Sequence, residues 1–177
     1  MCVITGGCMK EYLLLLPLIF IFHDMEEIVG FGWFFRNNPD LFSRYPEVMK
    51  PYRDFTDMGF AAAVYEEFIP FFGVSILACF FPGKILYSIW LGIFLSLAGH
   101  FIIHIIHVII LRKYIPSFIT SLICLPLSIV IIAKSIHYIS FDHASVVSVI
   151  MGVLLMIINL GIAHKIMHLV NKSHLCL

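Results

Sequence analysis

The sequence predicts an all-α protein, a polytopic transmembrane bundle of about five helices, and three observations predict it. Of its 177 residues, 61% are hydrophobic and only 12% are charged, with a mean hydropathy of +1.01. An ordinary globular domain is about 45–50% apolar and about 25% charged. Five apolar stretches, approximately 12–35, 59–80, 85–111, 116–137 and 144–168, each reach the roughly 20 residues that cross a hydrocarbon layer. The gaps between them carry breakers: Pro82-Gly83, the basic pair Arg112-Lys113 and a polar turn at 140–143. No repeat or low-complexity tract divides the chain, so 1–177 reads as one membrane domain.

The first stretch follows Lys10, and residues 13–22 look like the apolar part of a signal peptide. The next residues are His23-Asp24-Met25-Glu26-Glu27 rather than a small-x-small cleavage site, and apolar residues resume at Ile28, so a retained helix is expected. Residues 36–58 are the one sizeable polar loop; their aromatic residues suggest a segment lying at the membrane interface. Basic residues fall three (Lys10, Lys84, Lys134) against eight (Arg36, Arg44, Lys50, Arg53, Arg112, Lys113, Lys165, Lys172) on the two sides. The positive-inside rule then places the loop and C-terminus in the cytoplasm and the N-terminus outside the cell membrane. Net charge is zero and no basic run occurs, which argues against nucleic acid and leaves membrane lipid as the expected partner. Cys2, Cys8, Cys79, Cys124 and Cys176 form no CxxC pair, so neither a disulfide framework nor a thiolate metal site is indicated.

The helices carry groups that lipid disfavours. The first has His23, Asp24, Glu26 and Glu27; the second has Glu66 and Glu67; the third has His100, His104 and His107. A charged side chain at a helix centre costs about 2.5 to 3.5 kcal/mol on the insertion scale, so four glutamates would cost on the order of 10 kcal/mol. Metal binding, protonation or mutual pairing must offset that. Counted along the helices, these groups and His164 of the fifth stretch lie at one depth, in the cytoplasmic half of the bilayer, which favours a shared site. By the 3.6-residue period, His23, Glu26 and Glu27 share a face while Asp24 points elsewhere, to a neighbouring helix or to water. Glu66 shares its face with the small residues Gly59, Ala62 and Ala63, an indication of helix contact. Glu67 goes with Phe60, Val64 and Phe71, a face expected toward lipid unless Pro70 kinks the helix. The fourth stretch, without an acid, reads as scaffolding.

At His23-Asp24-Met25-Glu26-Glu27 the chain resembles the HXXEE family of small multi-pass membrane proteins, whose activity is undefined. The similarity extends to Glu66-Glu67, to the helix-3 histidines ending in Arg112-Lys113-Tyr114-Ile115-Pro116, and to a late element near Asn159 and His164. The resemblance implies a small residue such as glycine after the proline; Ser117 stands there instead.

Histidine nitrogen and carboxylate oxygen suit zinc, iron or manganese. The expected metal set is His23, Glu26, Glu66, His100 and His104, with Glu27 as the catalytic acid/base and Glu67, His107, Asn159 and His164 as further candidates. The inward set exceeds what one zinc needs and also fits a dinuclear bundle centre; nuclearity stays open. The expected function is an intramembrane metal-dependent hydrolase or oxidoreductase acting on a lipid-like substrate. A proton- or cation-coupled carrier using the same groups is the alternative, as is a glutamate/histidine intramembrane peptidase. The EExxxR element of CAAX-prenyl-protease-like enzymes is incomplete here, with Phe31 and Phe71 at the arginine positions. A haem bundle with axial His104 and His164 would leave the carboxylates without a purpose.

Overall fold

The computed structural model describes residues 8–174, the side chain of His174 excepted; Cys2 and Cys176 lie outside them. Five long helices form: α1 (Leu15–Asn37), α2 (Asp57–Phe80), α3 (Lys84–Leu111), α4 (Phe118–Ile136) and α5 (His143–His174). A helical turn, Lys10–Leu13, precedes α1. No strand occurs among the described residues. Long helices are what such apolar runs must form in lipid, where each backbone polar group has to be satisfied within its own segment. Helices α2 to α4, and α5 over His143–Ser173, are long and apolar enough to cross a membrane, and the chain is built as a membrane protein. Helix α1 has the length, but Asp24, Glu26 and Glu27 dilute its apolar character. Helix α2 runs on through Pro70.

Helix α3 is the central post, packed along α5 on one side and α4 on another, while α2 lies against α5 and α1. Without a hydrophobic drive between helices in lipid, close fit and polar contacts hold such a bundle. The fit is closest where α3 and α5 meet at Gly92 and Gly152: a Cβ on either would run into the backbone of the other helix. At the far end of α5, Thr56 caps α2 by accepting from Gly59 N at 3.0 Å and donates to Asn171 Oδ1 at 2.5 Å. Helix α1 reaches α3 through side chains, His23 lying edge-on to Phe101 with centroids 4.7 Å apart, and Trp90 Nε1 of α3 donates to the Leu13 carbonyl in the turn before α1 at 3.0 Å.

The loop after α1 is compact. Short turns at Asp40–Arg44, Pro46–Met49 and Lys50–Tyr52 fold back beneath α1, and Tyr52 packs against Phe31 and Phe35 with centroids 5.9 and 5.0 Å apart. The reversal between α3 and α4 uses two non-glycine residues in the left-handed region, Arg112 with φ 49° and Ser117 with φ 101°.

Candidate metal centre

Helix periodicity fans the acidic cluster of α1 across its inner surface. Around the axis Glu26 lies about 60° to one side of His23, while Glu27 and Asp24 lie about 40° and 100° to the other. Glu26 therefore turns to α4, His23 and Glu27 face α3, and Asp24 turns toward the side where α2 and α5 stand. Asp24 is only 3% exposed and lines a cavity with residues of α2 and α5, so of the two expected directions, a neighbouring helix or water, it takes the first, and an i, i+3 relation puts it beside Glu27.

Four side chains converge between α1 and α3. His23, Glu27, His100 and His104 each offer one ligand atom, and these atoms lie within 4.8 Å of one another. His104 Nε2 is 2.7 Å from His100 Nε2 and 2.9 Å from Glu27 Oε1, with His23 Nε2 3.6 Å from the same oxygen. His23 is fully buried and Glu27 is 5% exposed, yet His23 Nε2 and Glu27 Oε1 lack a hydrogen-bond partner of acceptable geometry. Buried polar atoms are almost always satisfied. Three imidazoles and a carboxylate, close together and with His23 Nε2 and Glu27 Oε1 under-bonded, form a donor set of the kind zinc or iron takes.

The outward ring nitrogens are held by the first turn of α4. His23 Nδ1 lies 2.9 Å from Thr120 Oγ1, and His104 Nδ1 lies 2.8 Å from Ser117 Oγ. Glu26 sets the polarity of the first contact. Its Oε2 takes the Thr120 hydroxyl proton at 2.6 Å and the Thr120 amide at 2.8 Å, while Oε1 accepts from Tyr114 OH at 2.5 Å. A hydroxyl that has given its one proton to a carboxylate can only accept from the imidazole. His23 therefore carries its proton on Nδ1 and presents the Nε2 lone pair to the group. Partners of this kind orient ligand histidines in metal sites. Burial, the bond to Glu26 and its charge push the Tyr114 phenol up to about 12.

The remaining residues sort by place. Glu26, expected as a ligand, bonds α4 instead. Glu66, expected as a ligand, turns aside to α5, where its Oε1 accepts from Asn159 Nδ2 at 2.8 Å. Glu67, expected toward lipid, shares the buried Phe60–Val64–Phe71 face and lines a small cavity with Asp24, Glu27, His100 and His164. Both faces of α2 are packed: Phe71 stacks on Phe20 of α1 at 4.2 Å, while the small residues Gly59 and Ala63 are buried as well, Gly59 against Asn171 and Met167 of α5. Tyr52 closes that cavity from the loop; burial and then the negative charges of Glu27 and Glu67 push its phenol up. His107 joins His104 and His164 on a larger cavity of about 330 Å³. Ser117 and Thr120 of α4 were missed, since a scaffold helix without acids gave no reason to look; the unexplained Ser117 after Pro116 was the available signal.

A buried histidine–carboxylate group held between apolar helices defines a class, the polytopic membrane proteins with a candidate metal centre. The chain belongs to the HXXEE family, described as "Protein of unknown function with HXXEE motif", whose family profile matches residues 14–131. All four converging residues fall inside that span; α5, with Asn159 and His164, lies beyond it. No curated protein and no solved structure matches the chain.

Proposed function

We propose that the protein is an intramembrane metal-dependent enzyme, with His23, Glu27, His100 and His104 holding a divalent zinc, iron or manganese ion, and with a lipid-like substrate. The observation that carries the reading is the meeting of four ligand atoms within 4.8 Å, two of them buried without a hydrogen-bond partner. Bound there, the metal would supply Lewis-acid chemistry for hydrolysis, or redox chemistry if it is iron. In this reading Glu27 serves as a ligand rather than as the acid/base. Thr120 and Ser117 aim the imidazoles, and Glu26 acts through Thr120 as a positioning residue.

The substrate class rests on what adjoins the group. Cavities of about 330 and 220 Å³ flank it, and both include His100, Ile103 and Leu160. Their remaining walls are mostly apolar, Phe31 and Phe34 in one and Phe20 and Phe71 in the other. Ile103 and Ile157, half-exposed or more, stand at the rim where a bilayer would surround the bundle. Sites for small molecules are commonly about 300–1,000 Å³ and mainly apolar, with a few convergent polar groups. A membrane-dissolved chain would reach His100 laterally without crossing water. In this reading the level lies in the cytoplasmic half of the cell membrane, which the distribution of basic residues supports.

Elemental analysis of the detergent-purified chain tests the metal. Wild type is expected to carry zinc, iron or manganese at stoichiometric level, and His104→Ala to carry less. Metal-free wild type, or equal content in a folded variant, overturns the reading.

A further inference from the structure

The cavity of about 60 Å³ beside the histidine group has a composition that one ion does not explain. Three carboxylates line it, Asp24 and Glu27 from α1 and Glu67 from α2, together with His100 and His164. No lysine or arginine is among its lining residues. Asp24 is 97% out of reach of solvent, since only 3% of it is exposed. Its nearest ionisable partner of opposite character is His23 Nε2, 4.0 Å away. Like charges sharing a buried cavity repel, and each unpaired carboxylate is costly to bury. The histidine group cannot neutralise all three, because only Glu27 belongs to it.

Glu27 is the connection. Its buried, unpartnered Oε1 sits in the group of four, and the same side chain lines the carboxylate cavity. The space suffices for an ion with coordinated water, one water needing about 10–15 Å³ of such volume. We infer that a second divalent cation binds in this cavity between Asp24, Glu67 and His164, sharing Glu27 with the first. The inference rests on the reading of the histidine group as a metal site. Two positions of different chemistry result: a nitrogen-rich one of three histidines and a carboxylate, and an oxygen-rich one of carboxylates with a histidine. The first suits zinc or iron, the second manganese, iron or magnesium. Helices α1, α2, α3 and α5 all contribute, the plan by which four-helix bundles hold paired ions. Tyr52 of the loop covers the second position.

The test counts ions. The full chain in detergent, stripped with chelator and reloaded with Mn²⁺ or Zn²⁺ alone, is separated from free metal and measured for metal per chain. Wild type is expected to hold two ions. Asp24→Asn and Glu67→Gln, each nearly isosteric, are expected to hold one. Mn²⁺-loaded wild type should give an exchange-coupled paramagnetic resonance spectrum that both variants replace with that of an isolated ion. Wild type with one ion and an uncoupled spectrum overturns the second position and leaves the first standing. Wild type with none overturns both. If one variant fails to fold, the wild-type count and the other variant still decide.

Discussion

Ser117 holds two roles that pull in opposite directions. Its φ of 101° belongs to the left-handed region that favours glycine, and a non-glycine residue in a sparsely populated region costs about 1–3 kcal/mol. Its hydroxyl, 2.8 Å from His104 Nδ1, is what glycine could not supply. The family resemblance implied a small residue here, and the structure supplies the physical reason for the exception. Substitutions separate the roles. Ser117→Gly is expected to keep or raise the thermal stability of the metal-free chain while weakening metal affinity by about 10-fold or more. Ser117→Ala keeps the strain and loses the bond, so both stability and affinity should fall. Melting curves of the stripped protein and a competition titration against a chelator read the two effects apart; equal affinity in all three proteins would remove Ser117 from the support of His104.

Among the elements, α3 and α5 depend most on fit. Gly152→Val places a side chain against the Ile89 carbonyl of α3. Backbone rather than a flexible side chain stands in the way, so the helices must part. A loss of several kcal/mol is expected, as for overpacked cores, seen as a lower melting temperature or failure to elute as a monodisperse peak. Legibility in the sequence divides along the same lines. The five helices could be read because lipid forces apolar runs into helices. His23, Glu27, His100 and His104 could be named because such side chains have no other business there. Orientation was harder. Small residues on α2 suggested an inward Glu66, but the interior between α1 and α2 is filled by stacked phenylalanines, and Glu67 rides with them. Glu26 looked like a ligand because only the position of α4, a tertiary fact, shows Thr120 waiting for it.

For the molecule as a whole, an ion held by the four side chains would act as a staple between α1 and α3, which also meet through contacts such as His23 on Phe101. A ligand bound only by the native state at 100 times its dissociation constant adds about 2.7 kcal/mol. Chelation should therefore lower the melting temperature by about 5–10 °C. His104→Ala should respond less to chelator than wild type does, and a wild type indifferent to chelator would mean that no ion ties the helices. The Gly92–Gly152 crossing then gains a mechanical meaning. His100 and Leu160 each lie eight residues beyond their glycine, on parallel helices, so each ends a lever arm of about 12 Å. Tilting α5 on that pivot by about 10° would change the gap between the arms by roughly 2 Å at this rise per residue. About half the width of a hydrocarbon chain would thus be gained or lost beside the histidines, with the pivot itself barely moving.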